Sequence, residues 1–378
     1  KGIIMDISFY SRFHAPLESA YLEEVLASGL ETDGLFMKRL LDCADSLYPG
    51  CRFLFTPSCT LALETALACL RLHPGDEVLL PSFNFPSAAN AVLRHGGRPV
   101  LCDITPDTQN ISVRDASNRL TSRTRAVIAM HYAGVSAPLG GLKKLADEAG
   151  IALIEDAAQC VDAYYEDQPL GTVGDMGCVS FHHTKNAVCG KGGLMITKNR
   201  GHWQYARQYR LHGTNRAGYL DGEAARYTWN LPGSCTALSE PQAALLLAQL
   251  QCLSQITRSR LHVTEQYWKQ LAPLEERGIA MRMQIPAYAR PNGHIFYLRF
   301  QDPALLNSLI PALAAHGIDC KTHYVPLHAS PMGEKLGYHK EDLPESLACY
   351  QTLLRLPVHT ALTDEDIART TETILRFV

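Results

Sequence analysis

The chain has 378 residues, 46% of them hydrophobic and 19% charged, with a formal net charge of −3. That apolar share is ample for a large core and excludes dominant disorder. A balance this near neutrality excludes the basic field of a nucleic-acid binder or polybasic membrane binder, so an anionic ligand must be held by local geometry.

The first residues include Asp6, Arg12, His14 and Glu18 and no apolar run, so no signal peptide is expected. Met5 reads as the native start, with residues 1–4 ahead of it. Short apolar or β-branched runs follow at 53–56, 78–80, 99–103, 126–131, 151–155, 178–181 and 193–197. Turn residues bound each run, and we read them as seven strands. Segments of helical period lie between most of them. One is 61–70, with Leu63, Ala66, Leu67 and Leu70 on one side. Another is 139–149, which ends at a capping Gly150. Strands alternating with helices predict a mostly parallel, helix-covered sheet, an α/β fold.

Beyond residue 200 the pattern changes. Helices are expected over 200–211 and, as one long element, from 239 to about 271. The segments 294–300, 305–316, 321–324 and 350–354 read as a compact α+β unit. The boundary is expected near 255, giving a large domain over 6–255 and a smaller one over 256–378. No two of the twelve cysteines are closer than eight residues, so no CxxC pair and no metal site is expected. Several sit in apolar runs, as small buried hydrophobes in a reducing cytoplasm would. No apolar run approaches the roughly 18 residues of a membrane span.

The chemistry begins in IALIEDAAQ, where a strand delivers Glu155 and Asp156 at its carboxyl end. Alone, Asp156 reads as a helix cap. FHHTKN then puts Lys185 just after a later strand. Upstream, in TPSCTLALE, a strand ends and Ser58, Cys59 and Thr60 open a helix whose first N–H groups can cradle a phosphate. A lysine amine, a carboxylate and an anion cradle are what pyridoxal phosphate requires: an amine for its aldehyde, an acid for its ring nitrogen and donors for its phosphate. PSFNF adds aromatic residues after another strand.

TPSCTLALE, LPSFNFPSAANA, HYAG, IEDAAQ and SFHHTKN, in this order and spacing, resemble the sugar aminotransferases of fold type I. These are the DegT/DnrJ/EryC1/StrS-type pyridoxal-phosphate enzymes that aminate nucleotide-linked keto-sugars. FHHTKN, GTNR, YTW and HYVPLH extend the likeness toward the branch that makes dTDP-4-amino-4,6-dideoxygalactose. The resemblance covers nearly the whole chain from about Asp6. It implies a seven-stranded sheet with helices on both faces, a smaller C-terminal domain, and a homodimer with shared active sites. It implies L-glutamate and a dTDP-linked 4-keto-6-deoxyhexose as substrates, in surface polysaccharide or other glycan synthesis.

Carried over position by position, Lys185 becomes the Schiff-base lysine and Asp156 the partner of the ring nitrogen. Gln159 falls at the 3-hydroxyl and Phe85 on the ring face. Ser58, Cys59, Thr60 and Ser180 fall around the phosphate, with His182 nearby. His323 and His328 fall near the sugar or the donor carboxylate, and both also read as satisfied loop histidines. Arg216 reads either as a donor to a diphosphate or carboxylate, or as a surface arginine. A sugar 3-aminotransferase, a sugar dehydratase using the same cofactor, and a non-catalytic binding protein stay open as alternatives.

Three positions depart from the common pattern. Lys191 stands where relatives carry an acid. Ala237 stands where many place an asparagine that reaches the neighbouring subunit's phosphate, with Ser234 or Thr236 as substitutes. Glu240-Pro241 replaces an Asp-apolar pair.

Overall fold

The computed structural model describes residues 6–28 and 32–378. The expected extra residues 1–4 lie outside the described residues. The central sheet has seven strands: β1 (Arg52–Thr56), β2 (Glu77–Pro81), β3 (Arg98–Cys102), β4 (Thr124–Met130), β5 (Ala152–Ala157), β6 (Met176–Ser180) and β7 (Gly193–Thr197). Their spatial order is β1-β7-β6-β5-β4-β2-β3. Neighbours run parallel from β3 through β6, and β7 is antiparallel to both β6 and β1. The sheet is thus mostly parallel, as expected.

Alternate residues on a strand point to opposite faces, and the core divides accordingly. Leu54, Val78, Leu80, Ala126, Ile128, Met176 and Met195 pack on one face, with Ala62, Ala66, Ala88, Ala91 and Ala206 from covering helices. Phe55, Leu79, Val127, Leu153, Val179, Leu194 and Ile196 pack on the other. The first face is covered by α3 (Cys59–Leu70), α4 (Ser87–Arg94) and α6 (Arg200–Tyr209). The second is covered by α1 (Glu18–Ala27), α2 (Leu35–Leu47), α5 (Leu139–Ala149) and α7 (Glu240–Gln251). Helix α5 does end on Gly150, at φ 64°. With both faces buried, the strands need near-continuous apolar runs, which is why they stood out in the sequence.

The long helix expected from 239 is two helices. The chain leaves helical geometry at Cys252 (φ −100°, ψ 7°), and α8 (Leu253–Gln270) starts there. Pro241 sits in the first turn of α7, next to a Ser239–Gln242 capping box. Glu240 has a use that the sequence concealed. Its buried carboxylate accepts from the N–H groups of Phe36 and Met37, at 2.8 and 3.0 Å, and so caps the uncapped start of α2.

A second sheet follows, with β8 (Ala280–Arg282) and β10 (Leu353–Leu356) flanking β9 (Phe296–Phe300), all antiparallel. Helices α9 (Pro303–Ala315) and α10 (Asp364–Phe377) complete this α+β unit with α8. Its core, including Tyr267, Phe296, Leu309 and Ile374, extends onto Phe83, Met130 and Tyr132 of the first unit. Seven cysteines are buried, as their apolar settings suggested, but Cys235 is exposed. Among the described residues no helix is long and apolar enough to cross a membrane.

Candidate active site

The carboxyl ends of β4, β5 and β6 and the amino end of β7 meet at one edge of the core. Between β6 and β7 the chain makes a tight return. Phe181 N–H donates to Gly192 O at 2.9 Å, His183 N–H to Gly190 O at 2.9 Å, and Cys189 N–H to Phe181 O at 3.0 Å. Lys185 rides on this return, its own N–H bonded to His182 O at 2.8 Å. The residue keeps some surface open, but its amine lies deep. Burial lowers its pKa; negative charge at Cys59, Asp156 and Cys160 would oppose that shift, and Arg355 adds to it.

Asp156 ends β5 and is 5% exposed. Its Oδ1 accepts from Ala158 N–H at 3.2 Å. Burial raises its pKa, and the Ala158 N–H, Lys185, His131 and Asn84 counter only part of this. The carboxyl therefore lacks a full counter-charge among the described residues, and a cationic ring nitrogen of a bound ligand would supply one.

Its neighbour Glu155 is fully buried and serves the scaffold. It accepts from His131 Nε2 at 3.0 Å and from the N–H groups of Gly171, Val173 and Gly174 at 2.7–2.8 Å. Because Ala137 N–H donates to His131 Nδ1, the imidazole is the neutral Nε2–H tautomer. Burial works to raise the Glu155 pKa, but the His131 bond and the loop N–H groups outweigh it and hold the pKa low.

The anion cradle forms where β1 turns into α3. Ser58 is the N-cap, its hydroxyl accepting from Leu61 N–H at 3.2 Å. The Cys59 thiol turns inward to Cys178 O at 3.6 Å, and the N–H groups of a helix's first turn have no partner within the helix. The Thr60 hydroxyl meets Ser87, the first residue of α4, at 2.8 Å. Gly193 borders this turn so closely that a Cβ there would lie 2.5 Å from Cys59 N. Ser180, the last residue of β6, is buried and pairs with Gly193 across the sheet. The hydroxyls of Ser58, Thr60 and Ser180 and the helix's first-turn N–H groups are donors of the kind a phosphate needs, at a turn where Gly193 leaves no room for a β-carbon.

The remaining residues line the same space or stand apart. Gln159 accepts from Ala133 N–H at 2.6 Å and donates to Tyr324 Oη at 3.3 Å. Phe83 is buried, while Phe85 is 58% exposed, with its ring 6.4 Å from Tyr324. An exposed aromatic on this turn is available to stack on a planar ligand. His182 bonds Thr184 at 3.0 Å and lies 3.9 Å, ring to ring, from His183. His323 is bonded to Tyr132 Oη at 2.9 Å and stacked on Tyr324 at 3.6 Å.

His328 is fully buried, with Nδ1 on Ser82 at 2.7 Å and Nε2 on Lys340 O at 3.0 Å. Both ring nitrogens are engaged within the chain, so it is placed as a satisfied loop histidine. Arg216 is exposed and opens a short helix, Arg216–Leu220. Among the described residues no hydrogen bond or ion pair joins it to the Lys185 cluster. Lys191 is exposed, and its carbonyl accepts from Gln242 at 2.6 Å. The Thr236 hydroxyl is buried, while Ser234 is half-buried and so the more accessible of the two.

Several neighbours were not singled out from sequence. Asn84 faces Asp156. Asn292 is fully buried and donates to Gln159 O and Val161 O at 2.9 and 2.7 Å. Asn186, next to Lys185, donates to Asn292 O at 3.0 Å and meets His294 Nδ1 at 2.8 Å. Arg260 holds the carbonyls of Gly293 and His294. Only the PNGH turn (Pro291–His294) hinted at this staple, through its turn chemistry.

Comparison with known proteins finds relatives of this sequence and fold. The DegT/DnrJ/EryC1/StrS aminotransferase family model matches residues 16–375. The chain is 30% identical over 322 residues to the spore coat polysaccharide biosynthesis protein SpsC of Bacillus subtilis, covering 82% of this chain and 81% of that one. It is similar to the aminotransferase TlmJ from Streptoalloteichus hindustanus, with TM-score 0.89, 28% identity, and 99% and 98% of the two chains covered. It is also similar to S. venezuelae DesV, solved with a ketimine intermediate, with TM-score 0.86, 27% identity, and 95% and 94% covered.

Proposed function

Because the chain belongs to the DegT/DnrJ/EryC1/StrS aminotransferase family, pyridoxal-phosphate enzymes acting on sugars, we propose that it aminates C4 of a nucleotide-linked 4-keto-6-deoxyhexose. In this reading the nucleotide is dTDP, the amino donor is L-glutamate, and the product is a 4-amino-4,6-dideoxyhexose for glycan assembly. The relative named for spore coat polysaccharide synthesis supports the glycan role. The observation that carries the reading is the convergence of Lys185, Asp156 and the Ser58–Thr60 turn from three separate strand ends.

When bound, the cofactor supplies an aldehyde carbon for amine exchange and a ring that accepts an electron pair. In this reading Lys185 holds the cofactor and yields its place to the donor amine. Its freed amine, whose pKa burial lowers, takes the donor's α-proton. Asp156 keeps the proton on the ring nitrogen. Gln159 meets the 3-hydroxyl, Phe85 covers one ring face, and Ser58, Cys59, Thr60 and Ser180 hold the phosphate. His182 lies at the edge of this set. His323 lies toward the substrates, Arg216 and His328 being less well placed for them within one chain. Division near residue 255, a homodimer and a cytoplasmic location belong to the same reading.

The test is mass spectrometry of products from a panel of nucleotide 3-keto- and 4-keto-sugars with glutamate. A mass change of keto to amine on a dTDP-4-keto-6-deoxyhexose supports the reading, and the NMR coupling at C4 then assigns the epimer. Turnover confined to 3-keto-sugars would replace C4 by C3, and loss of water without amination would point to a dehydratase.

A further inference from the structure

Asn186 follows Lys185 directly and is 4% exposed. Both ends of its side-chain amide are tied to one turn of the second unit, Pro291–His294, which leads into β9. The Nδ2 group donates to Asn292 O at 3.0 Å. That leaves Oδ1 as the acceptor of the 2.8 Å bond to His294 Nδ1, so the His294 proton sits on Nδ1. Burial first, and then the positive charges of Lys185 and Arg260, keep the ring neutral. Its Nε2 makes no hydrogen bond among the described residues.

The turn that carries this ring is held firmly. Gly293 sits at φ 65°, and a Cβ on it would lie 2.8 Å from the carbonyl carbon of Arg260. Arg260, buried on α8, donates from Nε to Gly293 O and from Nη2 to His294 O, at 3.0 and 2.9 Å. The His294 N–H donates to Asn292 Oδ1 at 3.1 Å.

Two bonds to opposite ends of one planar amide set its side-chain torsions, and so the course of the backbone at residue 186. On the other side, the Lys185 N–H is fixed to His182 O at 2.8 Å. Lys185 lies between these two anchors. A flexible four-carbon stem has no direction of its own, so its aim depends on where its Cα is held. Packing alone does not call for a histidine at 294. An apolar side chain would fill the space and leave no ring nitrogen bare.

We propose that His294 is a positioning residue for Lys185, its Nδ1–H fixing the Asn186 amide and so aiming the lysine amine at the cofactor. This rests on Lys185 as the lysine that holds the cofactor, and not on the identity of the donor or the sugar.

The test compares His294→Leu, His294→Asn, Asn186→Ala and the double variant His294→Leu/Asn186→Ala with the wild type. An asparagine amide can place an N–H donor where Nδ1 stands, whereas leucine cannot. In the holoenzyme, the cofactor's absorbance follows the reaction with glutamate, and its pH midpoint is read without donor. In the apo protein, mass spectrometry reads the rate at which acetic anhydride labels Lys185, with exposed Lys143 as control. We expect His294→Leu to lower the maximal rate with glutamate by roughly 10–100-fold. The half-saturating glutamate concentration should stay unchanged, since binding of the donor is untouched. The pH midpoint should shift and the labelling of Lys185 should change, while that of Lys143 does not. The titratable groups around Lys185, namely Cys59, Asp156, Cys160 and Arg355, are the same in every variant, so a shifted midpoint reports the lysine's position. His294→Asn should restore all of these, and His294→Leu should add nothing to Asn186→Ala. Where leucine unfolds the chain, Asn186→Ala alone must show the same changes. A rate loss that follows the melting temperature, with midpoint and labelling unmoved, would mean a scaffold role and overturn the proposal. So would additive losses in the double variant, and so would failure of asparagine to rescue, which would move the role to Nε2. If wild type binds the cofactor but does not react with glutamate, the donor assignment fails while midpoint and labelling still decide the role of His294. If Lys185→Ala keeps the absorbance of covalently held cofactor, the lysine assignment falls and this proposal falls with it.

Discussion

Gly193 and Cys59 approach so closely that a β-carbon on the first would lie 2.5 Å from the amide nitrogen of the second. One belongs to the antiparallel strand β7 and the other opens α3, and the cradle exists because nothing separates them. Gly193→Ala must push the Ser58–Cys59 turn outward. Backbone on both sides cannot yield as a side chain can, so we expect a stability loss of about 1–3 kcal/mol. Cofactor affinity should fall further than the melting temperature suggests. Titration of apo protein with pyridoxal phosphate, beside a thermal melt, checks both; unchanged affinity would remove this turn from the phosphate site.

Lys185→Ala should abolish turnover and remove the absorbance of the covalently held cofactor, leaving the fold intact by circular dichroism. A variant that kept full turnover would sink the lysine's assignment.

Glu155 offers a test by pH. Its carboxylate holds the neutral His131 and three loop N–H groups, and its folded pKa is depressed, the loop donors and His131 outweighing burial. A depressed carboxylate stabilises fully above its unfolded value and loses that contribution as pH falls through the folded one. Glu155→Gln should therefore cost about 1.5–3 kcal/mol near neutrality. The difference from wild type should shrink on acidification below the usual carboxylate range. Urea unfolding at a series of pH values measures it, and a pH-independent gap would contradict the assigned ionisation.

Asn292→Ala should loosen the lysine's support. It leaves the Gln159 and Val161 carbonyls and the His294 N–H without their side-chain partner, at a cost of about 1–3 kcal/mol. Because Asn186 is tied to the same residue through Asn292 O, hydrogen exchange should rise around Lys185 as well as around Gln159. Exchange confined to the neighbourhood of residue 292 would show that the two loops are not coupled through it.

What could be read in advance follows from range. The seven strands of the main sheet announced themselves because burial on both faces leaves continuous apolar runs. Their spatial order did not, since pairing β1 with β7 is decided between segments far apart in the chain. Helix 239–271 looked continuous because its apolar period carries across Cys252; the break there depends on geometry that the period does not encode. Lys185 and Asp156 were visible from their places after strands. Asn84 and Asn292 were not, because ordinary polar residues acquire a role only through neighbours brought from distant segments. His328 shows the converse, a motif histidine whose two nitrogens are taken by Ser82 and Lys340.

The antiparallel course of β7 has a consequence for assembly. Ser180, Lys185 and Gly193 belong to one short return and can be placed by local folding alone. The other wall of the cradle, Ser58–Thr60, arrives on the border strand β1, which is paired on one side only. A phosphate gripped between them would therefore act as a rivet at the rim of the sheet. Loading the enzyme should protect β1 from proteolysis and exchange more than it protects the interior strands, by the mass action of a ligand that binds only the docked form.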